Sequence, residues 1–433
     1  MALTYDPIAI LVLLGVFAML MALKVPVAFS LVLSAFASAY YYGIPLILIA
    51  QQLINGLNSF SLLAIPFFII AGNIMGEGGI AQRLIDFSDA LIGRVRGGLA
   101  MVNVLSSQFF GTISGSVVAD TSSLGTVLIP MMEKQGYDKD FATANTVTSS
   151  ILAVLIPPSN NMIIFAMAAG GGISIAKLFM AGVMPAIVLC IALMITSYII
   201  SVKRNYPKGR KYSLKETLLL AKNSLLGLFT MVIIVGGIVS GMFTATESSV
   251  IAVVYSFIIT FFVYRDIHIS RFWIIMKKSI RTVATVMAII SASSAFGYMM
   301  ARLSVPEIVT NALLSVSDNK IVILLLINLI LLVLGLFMDM APMILITTPT
   351  LLPVAESVGM DPIQFGIVML LNLGISLITP PVGTVLFVGC SIAKLRVEEV
   401  IKPLLPYYIV MIGVLLLLTF VPAVSMTIPN LMN

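Results

Sequence analysis

Long apolar runs broken by short polar islands set the pattern of this chain. Runs at about 7–23, 26–48, 62–76, 176–201, 222–243, 247–264, 282–301 and 402–425 are predicted as membrane-spanning helices. About 20 apolar residues cover the roughly 30 Å hydrocarbon core of a bilayer. Other segments are apolar at both ends and polar at the centre. Residues 97–136 are interrupted by Gly111-Thr112-Ile113-Ser114-Gly115-Ser116, and residues 320–359 by Gly335 to Pro342. Without its polar centre, neither arm of either segment is a full span. Each is therefore predicted as a re-entrant hairpin, since irregular backbone at that depth needs protein or a wet cavity around it. Helices at about 138–170 and 361–390 are predicted to break, at Pro157-Pro158-Ser159-Asn160-Asn161 and at Thr379-Pro380-Pro381. Gln51 to Ser61 reads as interfacial, and Glu77 to Arg96 as amphipathic.

The islands recur at an offset of 223 residues. Leu128-Ile129-Pro130 answers Leu351-Leu352-Pro353, Gly136-Tyr137-Asp138 answers Gly359-Met360-Asp361, and Pro157-Pro158 answers Pro380-Pro381. The chain divides into a first repeat (1–202), a linker (203–221) and a second repeat (222–433). Paired interruptions at matching places of two halves are the sequence mark of a transporter's binding site.

Charge assigns the sides. On this path 21 of the 24 lysines and arginines fall on one face, leaving Lys177, Arg302 and Lys320 on the other. The positive-inside rule makes the rich face cytoplasmic. It places both termini outside and the linker inside, and gives the two repeats opposite orientation. The expected class is an all-α polytopic membrane protein of two inverted-topology repeats, each with a re-entrant hairpin and a broken helix. With 60% hydrophobic and 10% charged residues, a soluble fold is excluded. A β-barrel would need short alternating segments. The net charge of +6 is explained by the loops and implies no nucleic-acid partner. Met1 to Pro7 brings no basic region before the first run, against a cleaved signal peptide. Cys190 and Cys390 have no disulfide or metal spacing, and His268 lies in a basic loop as an ordinary solvated side chain.

Candidate chemistry gathers at the islands. Ser114, Gly115 and Ser116 occupy the first tip, with Asp120 one turn on, and Ser159, Asn160 and Asn161 the first break. Hydroxyls, amide oxygens and unwound carbonyls are hard ligands that suit Na⁺, and half-helix ends aim partial charges at the same place. Singly, such small residues serve close packing in lipid; clustered at a tip facing a break they read as a site. Asp120 and Asp339 are acids inside apolar hairpins, functional candidates by default. The second cation set is Gly335, Met338 and Asp339 with Thr379, Gly383 and Thr384. Arg302 either binds a substrate carboxylate bidentately or snorkels to headgroups. The expected substrate set is Arg302 with Pro158, Asn161 and Pro381. Asn73 and Glu247 read as packing or capping residues.

At these motifs the chain resembles the large membrane (DctM-like) subunit of tripartite ATP-independent periplasmic (TRAP) transporters. The resemblance rests on Gly15-Val16-Phe17 with Val25-Pro26-Val27-Ala28-Phe29, Leu63-Ala64-Ile65-Pro66-Phe67-Phe68, and Ala71-Gly72-Asn73-Ile74-Met75. Gly111 to Ser116, Gly335 to Pro342 and Thr379-Pro380-Pro381-Val382-Gly383-Thr384-Val385-Leu386-Phe387-Val388 complete it, and it spans essentially the whole chain. It implies an elevator-type secondary transporter of the bacterial inner membrane, driven by Na⁺ as coupling ion with no other cofactor. It also implies a smaller four-helix (DctQ-like) membrane partner and a periplasmic substrate-binding protein. The cargo would be a carboxylate-bearing organic acid, sialic acid on the overall sequence, with C4-dicarboxylates as the alternative. The absence of an extra four-helix module fits an unfused large subunit. The first break, Pro157 to Met162, departs from the family's pattern at Asn160 or Asn161, where many members are more apolar, and would mark a substrate subgroup.

Two other classes compete with transport. An intramembrane aspartyl protease would pair Asp120 with Asp339, but the offset pairs Ser116, not Asp120, with Asp339. An ion channel would need a ring-forming filter motif.

Overall fold

Helix covers nearly all of the apolar pattern in the computed structural model, and no strand occurs among its described residues, 6–317 and 319–432. The reading of Met1 to Tyr5 against a signal peptide lies outside them. The chain opens with α1 (Pro7–Ala22), α2 (Val27–Tyr42), α3 (Leu46–Asn55), α4 (Ala64–Glu77) and α5 (Ile80–Ile92). Next come α6 (Gly98–Ser114), α7 (Val117–Lys134), α8 (Lys139–Ser149), one-turn α9 (Leu152–Leu155), α10 (Asn160–Ala168) and α11 (Ile175–Lys203). The second half holds α12 (Leu214–Val239), α13 (Ala245–Ile258), α14 (Phe272–Arg302) and α15 (Val305–Val316). It closes with α16 (Lys320–Gly335), α17 (Met340–Ser357), α18 (Pro362–Ser376), α19 (Thr384–Ala393), α20 (Val397–Phe420) and α21 (Pro422–Asn430).

Among the described residues six helical segments are long and apolar enough to cross a membrane, or seven if Lys139–Leu155 and Asn160–Ala168, bent by 50°, count as one span. The first predicted span matches α1 to within a residue, but the second is shorter than expected. Gly43 in the left-handed conformation and Pro45 stop α2 at Tyr42, and the chain restarts as α3. The predicted interfacial stretch is thus partly helical. The linker is also shorter than 203–221, because Ser213 and Glu216 form a reciprocal capping box that starts α12 at Leu214. It is tied down as well: the Tyr206 hydroxyl donates to Asp138 at 2.7 Å, and Gly97 N–H to the Pro207 carbonyl at 2.9 Å. The Tyr206 and Arg204 hydrogen bonds hold the Asp138 carboxyl below the usual carboxylate range. Helix α14 begins ten residues before the predicted 282, which puts Lys277, Lys278 and Arg281 on a helix. Helix α15 was not predicted.

Helix bounds follow the 223-residue offset. Val117–Lys134 and Met340–Ser357 differ by 223 at both ends, and Ile80–Ile92 maps close to Val305–Val316. The Pro157-Pro158 and Pro380-Pro381 bonds are both cis. α6 packs on α7 and α16 on α17, making two helical hairpins. Each hairpin also touches the other repeat's broken helix, α7 against α19 and α17 against α10. This body shares one large core with Phe110, Phe141, Phe165, Phe365 and Tyr407. A separate core, including Leu13, Leu31, Ile49, Phe296 and Met299, joins α1, α2 and α3 to α14 and α15. Helix α4 lies between the two, against α13, α14 and α6.

Small residues bring backbones together in the large core. A Cβ on Gly182 of α11 would stand 2.0 Å from the Leu155 carbonyl oxygen. Gly182→Val is expected to push α11 off α9, at a cost of about 1–3 kcal/mol as overpacking. A thermal scan of the detergent-purified protein should show the fall in Tm; an unchanged Tm would mean the contact is slack.

Candidate functional site

The first hairpin turns in two residues. Gly115, in the left-handed region at φ +55, closes α6, and Ser116 caps α7, its hydroxyl oxygen accepting the Ala119 N–H at 3.4 Å. A Cβ on Gly115 would lie 2.6 Å from the Pro158 carbonyl oxygen, so the tip meets the first break backbone to backbone. The second hairpin turns through Leu336 to Met338, and Asp339 caps α17, its Oδ1 accepting the Met340 N–H at 2.9 Å. Val382 N–H donates to the Leu336 carbonyl at 3.3 Å, tying this tip to the second break. Ser116 and Asp339, paired by the offset, share one structural task as N-caps of the returning arm.

Both tips face one cleft of about 490 Å³. Ser114, Gly115, Ser116, Asn160, Asn161 and Asp339 line one wall. A further wall comes from α4, through Gly72, Asn73, Gly76 and Glu77, and from α14, through Lys278, Thr282 and Thr285; α4 meets the first tip directly, since a Cβ on Gly72 would lie 3.3 Å from the Ser114 Cα. Asn73 Nδ2 donates to Ser279 Oγ at 2.9 Å, and Lys278 Nζ stands 3.0 Å from Glu77 Oε1. Sequence reasoning did not place this wall in the site. Asn73 does pack, as expected, but it also lines the cleft. Glu247 is the capping residue expected, accepting the Thr244 N–H at 2.8 Å.

The other predicted residues sit behind the cleft or away from it. Pro158 and Ser159 back the first tip. Gly335, Met338, Thr379, Pro381, Gly383 and Thr384 surround the second tip and break without lining the cleft. Gly335 stays helical, and its lack of a side chain admits Ser376, whose Oγ would lie 2.5 Å from a Cβ there. Asp120 is fully buried between the arms of the first hairpin, where Ser107 Oγ donates to its Oδ1 at 3.4 Å. It does not share the cleft with Asp339, so the paired-acid geometry a protease would need is not formed. Arg302 ends α14, 24 residues beyond Lys278 and so about 36 Å along the helix from it. It is exposed and outside the cleft.

Orphaned oxygens mark what the tips can hold. Ser159 Oγ and Asn160 Oδ1 at the first break, and Thr384 Oγ1 at the second, are buried without a hydrogen-bond partner. Buried polar atoms are normally paired. Hard oxygens left open beside half-helix ends suit a small hard cation better than a transition metal.

The family model for the "Tripartite ATP-independent periplasmic transporter, DctM component" matches residues 14–424. The uncharacterized protein YgiK of Salmonella typhimurium is 44% identical over 98% of this chain and 97% of its own length. The isethionate TRAP transporter permease DctMQ of Oleidesulfovibrio alaskensis is 39% identical over 97% of this chain, which spans 66% of that protein. The sialic acid TRAP transporter large permease SiaM of Vibrio cholerae is 37% identical over 94% of this chain and 95% of its own length. Among solved structures, the YdaH transporter of Alcanivorax borkumensis shares the fold at a TM-score of 0.61 and 14% identity, over 89% of this chain and 90% of that one.

Proposed function

The chain belongs to the DctM component family of tripartite ATP-independent periplasmic transporters, and from that premise we propose that it is the large permease subunit of a Na⁺-coupled organic-acid importer. The observation that carries the reading is the single cleft shared by both hairpin tips and a wall of separate helices. The two hairpins and two broken helices form the moving body. Helices α1–α5 and α12–α15, with a small membrane subunit, form the frame. The repeats are inverted in the bacterial inner membrane, with both termini periplasmic, and a periplasmic binding protein delivers the substrate. Na⁺ at each tip–break pair orders the tip and offsets the anion's charge, which lowers the cost of crossing a low-dielectric region. Ser114, Ser116, Ser159, Asn160 and the Pro158 carbonyl hold the first ion; Asp339 and Thr384, with the carbonyls of the second break, hold the second. Glu77 and Lys278 are the exposed charged pair of the cleft lining and mark its mouth, and with Lys277 and Arg281 beside Lys278 on α14 the positive-inside rule turns that mouth to the cytoplasm.

The cargo is an organic anion. Relatives of comparable identity are named for isethionate, sialic acid, 2,3-diketo-L-gulonate and C4-dicarboxylates. Sialic acid is the member that the sequence itself suggests. Proteoliposomes holding the permease, its membrane partner and its binding protein should accumulate one of four acids: N-acetylneuraminate, isethionate, 2,3-diketo-L-gulonate or succinate. Accumulation should require an inward Na⁺ gradient. Equal uptake without the gradient would overturn the coupling, and uptake of none of the four would overturn the organic-acid reading.

A further inference from the structure

The cleft's charge is set against its cargo. Of the charged side chains that line it, Glu77 and Asp339 are acids and Lys278 alone is a base. Lys278 is held by Glu77 at 3.0 Å, and the two side chains are 60% and 41% exposed. An exposed pair of this kind is worth about 0–1 kcal/mol, so its partners exchange readily. It is also not needed to join α4 to α14, because Asn73 and Ser279 already hydrogen-bond at the next residue. From Lys278, Thr282 and Thr285 continue at i+4 and i+7 along one face of α14, and all three line the cleft. Both hydroxyls donate to their own helix, to the Lys278 carbonyl at 3.2 Å and the Arg281 carbonyl at 3.0 Å. Their lone pairs are left open to the cleft as acceptors for substrate hydroxyls.

We propose that Lys278 forms an exit subsite for the substrate's anionic group, carboxylate or sulfonate, at the mouth of the cleft, that Thr282 and Thr285 accept from substrate hydroxyls beside it, and that Glu77 is its built-in competitor. The departing anion takes Lys278 from Glu77 as it leaves the tips. When Glu77 recovers the lysine, the anion is released and rebinding from the cytoplasm is suppressed. This rests on the transport reading above.

Counterflow of the transported acid from the four-member panel, at equal Na⁺ on both sides, reads the subsite directly. Lys278→Gln should raise KM on the cytoplasmic face about tenfold, as loss of a charged hydrogen bond does. Glu77→Gln should lower the same KM several-fold, and Lys278→Arg should stay near wild type. An inter-helix strut would move both partners of the pair in one direction; shifts of equal sign, or none, would overturn the subsite while leaving transport intact. If Lys278→Gln fails to fold, Glu77→Gln still decides between the two: a lowered KM supports the subsite, and a raised or unchanged one overturns it. Wild-type liposomes that carry no acid would overturn the transport reading and the subsite together.

Discussion

Gly115→Ala is expected to cut the Na⁺-driven uptake proposed above sharply while the chain still folds. Two effects coincide at this position. The left-handed backbone at φ +55 costs an alanine about 1 kcal/mol. The new methyl would also stand 2.6 Å from the Pro158 carbonyl oxygen, which is backbone and cannot rotate away. The tip must therefore lift from the break, and Ser114 and Ser116 move away from Ser159 and Asn160. Uptake should fall on the order of a hundredfold, since misplacing a binding group by about 1 Å has that effect. Gly171→Ala is the control: its φ is +75, but nothing lies within 4 Å of its Cβ. It bears the backbone strain without the collision and should retain most of its uptake. Equal losses in both variants would show that strain alone, not contact with the break, governs the tip.

In the Na⁺ site proposed above, Asp339→Asn is expected to raise the Na⁺ concentration needed for half-maximal uptake by on the order of a hundredfold, because a carboxylate about 4 Å from a cation at an effective dielectric near 20 contributes several kcal/mol. The asparagine keeps the N-cap, since Asn caps as well as Asp. The variant therefore separates the charge from the fold, as alanine would not. Titrating uptake against Na⁺ gives the answer, with melting temperature as the fold check. An unchanged Na⁺ dependence would leave Asp339 with capping as its only role.

The hairpins and breaks were legible for a reason specific to membranes. A polar island such as Gly111 to Ser116 is costly in hydrocarbon unless protein or water surrounds it, so its presence and its recurrence at 223 residues carry information. The contribution of α4 and α14 was not legible. Asn73, Glu77 and Lys278 sit near ends of apolar runs, where a polar residue has ordinary explanations in packing, capping and snorkelling. Arg302 and Lys278 stand on one helix and are both plausible carboxylate partners, and nothing local ranks them. Helix α15 was missed because its residues do not form a full span; its counterpart α5, one offset earlier, was the available signal. Asp120 and Asp339 looked alike as acids in hairpins, yet one is enclosed between two arms and the other faces the cleft.

By itself the sequence determined where the chain breaks at Gly115, Pro157-Pro158 and Pro380-Pro381, because glycine and proline geometry is settled within a few residues of each break. It also determined that the two halves share one plan, and that Ser116 and Asp339 hold equivalent places with different chemistry. Only the tertiary structure decided what those places face. The wall of α4 and α14, the Glu77–Lys278 pair and the separation of Asp120 from Asp339 all depend on how helices far apart in the chain pack. Side-chain facing is set by those long-range contacts, on which local hydropathy places almost no constraint.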